Sequence, residues 1–243
     1  MMERIADACV VERAAPHAFW AALVVLATSG LPLSSMAAQP ERAVFDNTVV
    51  SQRDPAVDIK LPTSAHYLGA DRFLLTDRTL GEFDDCELHA FVDSEDGRNV
   101  RKLYWVQFEA YLPSHPSLHH SYDSPRHLTI GGLDFYLDTW VSSGSTPPDP
   151  GSDDAHLDSL LASKGYRRGA SMSVRLVHLI DAEKRKELMI IYAEDLAPTG
   201  YTAAKLREGG TGHAHWAAIE EGLIVRAKES ITITRASGST HYP

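Results

Sequence analysis

The stretch Cys86–Pro113, CELHAFVDSEDGRNVRKLYWVQFEAYLP, decides the fold. Two runs rich in β-branched and aromatic residues flank Asp96-Gly97, a dipeptide that readily supplies the positive φ angles of a tight hairpin turn. With those two as turn residues, Glu95 pairs with Arg98, Val92 with Arg101, Ala90 with Leu103, Leu88 with Trp105 and Cys86 with Gln107. Side chains alternate along a strand, so Leu88, Ala90, Val92, Leu103 and Trp105 share one face and His89, Phe91, Tyr104, Val106 and Phe108 the other. Both faces are largely apolar and a lone hairpin is marginal in water, so further strands and helices must cover them.

Downstream, SHPSLHHSYDSPRH (Ser114–His127) concentrates His115, His119, His120 and His127 in one loop. Imidazoles this close in sequence make a candidate Zn²⁺ or Cu²⁺ site, with Asp123 as a possible oxygen ligand, although no HExxH or paired CxxC spacing accompanies them. A strand pattern resumes at about Leu133, with Leu133, Phe135, Leu137 and Val141 on one side and Asp134, Tyr136, Asp138 and Trp140 on the other. Upstream, His66–Thr76 reads as a strand and Asp77–Asp85 as an acidic loop leading into the hairpin.

After a Ser/Pro/Gly loop, Ser152 reads as a helix N-cap, with Asp153 and Asp154 in the first turn and Leu157, Leu160 and Leu161 on one face. Met172–Ile180 and Glu187–Glu194 form a second hairpin pattern whose apolar runs fit strands buried on both faces. Helical patterns at Thr202–Glu208 and His213–Glu229 precede a terminal ITIT strand. This order predicts an α+β fold, a single antiparallel sheet of about six strands packed by two or three helices. Residues 63–235 make one domain, 38–62 an extended N-terminal arm with a short strand near Ala43–Val50, and 236–243 a disordered tail.

A net charge of −10 without any Lys/Arg run argues against nucleic acid as a partner. Ala18–Leu33 is apolar, and Ser35-Met36-Ala37-Ala38 offers a small-x-small cleavage pattern, so residues 1–37 read as a signal peptide and the protein as periplasmic or secreted. Gly30 and Pro32 make that segment a poor membrane span, and no stable span is expected after cleavage. Cys9 leaves with the leader, so Cys86 remains as a lone thiol, which reads as a buried small hydrophobe.

Polar residues set into aromatic strands supply the functional expectation. Gln107 and Glu109 interrupt one strand, Asp138 lies beside Tyr136 and Trp140 on another, and Arg175 and His178 punctuate the second hairpin. Ionised groups among apolar strands need partners. The set Trp105, Gln107, Glu109, Tyr136, Asp138, Trp140, Arg175 and His178 predicts a pocket between sheet and helices for a small, partly apolar ligand. A hydrolase or lyase using a carboxylate/His pair, metal-assisted or not, is the first alternative. An envelope protein–protein interaction module is the second.

Overall fold

The computed structural model describes residues 39–236. The leader expected over 1–37, and all but the first residue of the expected tail, lie outside the described residues. Eleven strands and three α-helices follow in order among them: β1 (Ala43–Phe45), β2 (Thr48–Ser51), β3 (Val57–Lys60), β4 (His66–Asp77), β5 (Gly81–Asp93), β6 (Lys102–Tyr111), β7 (His127–Ile130), β8 (Leu133–Ser142), α1 (Asp153–Ser163), β9 (Ser171–Leu179), β10 (Lys186–Asp195), α2 (Ala203–Leu206), α3 (Trp216–Ser230) and β11 (Thr232–Arg235).

The α+β class stands, but the expectation of a single sheet of about six strands does not. There are two antiparallel sheets, one of seven strands in the order β4-β5-β6-β10-β9-β8-β7 and one of four in the order β1-β2-β3-β11. The small sheet draws three strands from the segment read as an arm. β1 and β2 fall where the sequence predicts a short strand near Ala43–Val50, split by a turn, whereas β3 carries too few alternations to announce itself; Val49, Val57 and Ile59 are buried. A two-residue turn at Asp46-Asn47, both with positive φ, joins β1 to β2. The ITIT strand, β11, pairs with β3 and not with the large sheet.

The central hairpin forms with a longer loop than a two-residue turn. Asp93 pairs with Lys102, Ala90 with Trp105 and Leu88 with Gln107, a slip of two residues from the predicted register. The cause is the Asp96 carboxylate, which accepts the backbone N–H groups of Arg98 (2.8 Å) and Asn99 (2.7 Å) and folds the loop tip on itself, with Gly97 at φ +68°. Those backbone bonds hold the Asp96 carboxyl well below its usual range. An even slip keeps every side chain on its predicted face.

The large sheet is covered on both sides. Phe91, Tyr104, Val106, Phe135, Leu176 and Ile190 pack with the small sheet (Val49, Ile59, Ile233) and with Leu223 and Ala227 of α3. Cys86, Leu88, Trp105, Val177, Met189 and Ile191 pack with Leu157 and Leu161 of α1. Ser152 caps α1 by accepting the Ala155 N–H, and the α1 side of the sheet carries the polar residues described next.

Candidate metal centre

At one end of the large sheet the α1 face turns from apolar to acidic. The register sets Glu109 of β6 directly opposite Glu187 of β10 and opposite Cys86 of β5, with Asp84 two residues further along β5 on the same face. Directly opposed like charges on neighbouring strands are unfavourable. Asp153, in the first turn of α1, adds a further carboxylate, linked to Glu109 through the Gln107 amide. The loop between β6 and β7 then lays His120 into this cluster.

The geometry around His120 is specific. Its Nδ1 lies 3.0 Å from Glu187 Oε2, and the Tyr122 hydroxyl donates to both oxygens of the same carboxylate at 2.9 and 2.8 Å. The ring stacks on Tyr111 with centroids 4.3 Å apart. Asp84, Glu109 and His120 each offer one ligand atom, and these atoms all lie within 4.8 Å of one another. His120 Nε2 and Asp84 Oδ1 are buried and have no hydrogen-bond partner, in residues only 6% and 2% exposed. Donors about 2.0–2.2 Å from a shared ion stand at most about 4.4 Å apart, so small shifts would close these three on a cation.

Burial raises the Asp84 carboxyl to about 7, with the Glu187 charge adding to the effect and His120 opposing it. Burial and then the charges of Glu187, Asp153 and Asp84 push the Glu109 carboxyl well above its ordinary range. Asp153 is raised by burial as well. Removing this many carboxylates from water is costly unless protons or a cation neutralise them. Burial and the neighbouring Glu109 charge drive the Cys86 thiol far upward, which keeps it neutral and a poor nucleophile.

Arg185 holds the histidine loop in place. Its Nη1 donates to the carbonyls of His115 and Leu118, both at 2.8 Å, and its Nη2 to those of Tyr111 (3.1 Å) and Leu112 (3.0 Å). The His120 N–H donates to the Lys184 carbonyl at 2.7 Å. Arg185→Met keeps the apolar stem and deletes the bonds, leaving carbonyls without their donors. The expected result is a loss of about 3 kcal/mol, from charge-assisted bonds each contributing roughly 1.5–3 kcal/mol and partly replaced by water. Denaturant titration measures it, and faster amide exchange over residues 112–120 should accompany it.

Of the predicted histidine ligands, His120 alone belongs to this cluster. His115 donates to the Glu82 carbonyl and His119 to the Ser117 carbonyl, while the exposed His127 pairs with Asp134 at 2.8 Å. Trp105, Gln107 and Glu109 do form one chain of contacts, 2.7 Å from the indole Nε1 to Gln107 Oε1 and 2.8 Å from Gln107 Nε2 to Glu109 Oε1. Tyr136, Asp138, Trp140 and Arg175 sit farther along the same face. Arg175 pairs with Asp138 at 2.7 Å and lies 5.3 Å from the centre of the Tyr122 ring, and Trp140 is 38% exposed at the surface. His178 does not join them. Three positions from Arg175 along a strand of period two, it falls on the opposite face, beside Phe135.

Asp84, Glu187, Asp153 and Tyr122 were missed as site residues. The signal for Glu187 was an acid at the mouth of the apolar LMIIYA strand, and for Asp84 the acidic run Asp77–Asp85, read as a loop, of which only residues 78–80 form the turn while residues 81–85 lie inside β5. No family model, curated protein or solved structure matches the chain. Among the described residues, no helix is long and apolar enough to cross a membrane.

Proposed function

We propose that this is an exported protein that binds a divalent cation through Asp84, Glu109 and His120. What carries this is a pair of buried atoms without partners, His120 Nε2 and Asp84 Oδ1, in a cluster closed by Glu109. Glu187 supports the assignment from behind. By accepting Nδ1–H it leaves Nε2 with the free lone pair, the arrangement that orients metal-binding histidines. An imidazole beside two carboxylates suits Zn²⁺ or Mn²⁺ better than Mg²⁺ or Ca²⁺, which prefer oxygen alone. Three protein ligands leave coordination positions for water or a substrate group, so metal-assisted hydrolysis would use the same centre. Export is supported by the apolar segment Ala18–Leu33 and the small-x-small pattern at Ser35–Ala37.

A small, partly apolar ligand on the same face is the second reading, favoured by Arg175. Its Nε is buried without a partner while its Nη2 pairs with Asp138 and its guanidinium lies by the Tyr122 ring, so an anionic group on the ligand would complete it.

The test is isothermal titration of the chelator-treated protein with ZnCl₂ and MnCl₂. One ion per chain is expected for wild type, and a loss of affinity of at least a hundredfold for His120→Ala. Equal binding by wild type and His120→Ala, or none by wild type, removes the centre.

A further inference from the structure

We infer that Trp105 and Gln107 are positioning residues that decide which oxygen of Glu109 meets the cation, and thereby set a preference for a small, imidazole-binding ion such as Zn²⁺ over Ca²⁺. This rests on the cation centre proposed above and concerns residues that touch no ion themselves.

Trp105, Gln107 and Glu109 occupy alternate positions on β6 and so share the α1 face. An indole N–H can only donate. The amide oxygen of Gln107 must therefore be the atom that faces Trp105 Nε1, 2.7 Å away. Turning the amide over would set two donors against each other, so the Gln107 Nε2 is held on the acidic side. There it donates to Glu109 Oε1 at 2.8 Å and approaches Asp153 Oδ2 of α1 at 3.3 Å. Gln107 is fully buried and Trp105 nearly so, which shields the bond between them from water and fixes the amide's orientation.

The consequence is directional. With Oε1 engaged by the amide, Glu109 offers the cation Oε2 and acts as a one-oxygen ligand. Ca²⁺ gathers six to eight oxygens and favours two-oxygen carboxylates, whereas Zn²⁺ is satisfied by about four donors with nitrogen among them. A Glu restrained to one oxygen, a carboxylate from Asp84 and an oriented imidazole fit the second demand.

The experiment titrates the full chain with ZnCl₂ and with CaCl₂ in wild type, Trp105→Phe, Gln107→Met and the double variant. Each single change is expected to weaken Zn²⁺ binding by roughly tenfold or more, the range typical for loss of an outer partner of a ligand, and to narrow the gap between Zn²⁺ and Ca²⁺. The double variant should bind no worse than Gln107→Met, because the two bonds act in series. Folded variants that keep wild-type affinity and the wild-type Zn²⁺/Ca²⁺ ratio overturn the relay while leaving the centre intact. Absence of binding in wild type overturns the centre itself. Should the variants not fold, the indole N–H resonance of Trp105 in the wild-type chain decides. It is expected to shift on saturation with Zn²⁺ and to stay unmoved by Ca²⁺ at the same concentration, and the absence of a Zn²⁺ shift overturns the relay.

Discussion

Replacing Glu87 by Gln is expected to destabilise the protein by about 4 kcal/mol, the scale for removing one partner of a buried ion pair. Glu87 faces away from the proposed metal centre, toward the small sheet, and it is almost wholly buried. Its carboxylate accepts the backbone N–H groups of Glu41 (2.9 Å) and Arg42 (2.8 Å), the Arg42 guanidinium (3.0 Å) and His89 Nε2 (2.9 Å). The Tyr67 hydroxyl lies 3.2 Å from His89 Nδ1, and donating there leaves the proton on Nε2 for Glu87. The Arg42 guanidinium also lies over the Phe108 ring, 3.9 Å from its centroid. These contacts fasten the chain just before β1 to the large sheet. A glutamine amide keeps one acceptor oxygen and turns a donor toward the remaining donors.

The same residue gives an acid signature. Burial alone would raise its carboxyl, but the bonds from His89, the two backbone N–H groups and the Arg42 charge outweigh it and hold Glu87 at about 2, below its ordinary 4.5. A depressed carboxyl adds stability that is fully present above the unfolded value and fades as pH falls toward the folded value. The window is therefore about pH 4.5 down to 2, and its size is about 3 kcal/mol. Denaturant midpoints of wild type and Glu87→Gln across that range check it. Parallel curves for the two proteins would show that Glu87 is not the group responsible.

Asp84→Asn is expected to act in two opposite directions. Without metal the variant should be more stable than wild type at pH 8. The folded chain holds the Asp84 proton up to about 7 against 3.8 when unfolded, so wild-type stability is greatest below the lower value and declines as pH rises through that interval. The decline amounts to about 4 kcal/mol, which an uncharged Asn does not suffer. With Zn²⁺ the order reverses. Free metal at a thousand times Kd stabilises wild type by about 4 kcal/mol and should leave Asp84→Asn and His120→Ala nearly unmoved. Thermal melts at pH 5.5 and 8, with chelator and with Zn²⁺, separate the effects. A metal-free variant less stable than wild type at pH 8 would mean that the carboxylate serves packing and not a cation.

That opposition explains why the centre was only half legible in the chain. Strand alternation is covalent and local, and an even register slip cannot disturb it, so Trp105, Gln107 and Glu109 could be set on one face from residues alone. The same reasoning gave both hairpins and the cap at Ser152, and it separated Leu137 from Asp138. It could not say which strands become neighbours. β6 lies against β10, far away in the chain, and only that pairing brings Glu187 opposite Glu109. Among the loop histidines, composition offered four equal candidates, and the choice of His120 was made by Arg185, Tyr111 and the Lys184 carbonyl gathering the loop. The period of two placed each side chain on a face. Burial of both faces of the large sheet, which depends on the whole chain at once, decided which of those side chains meet.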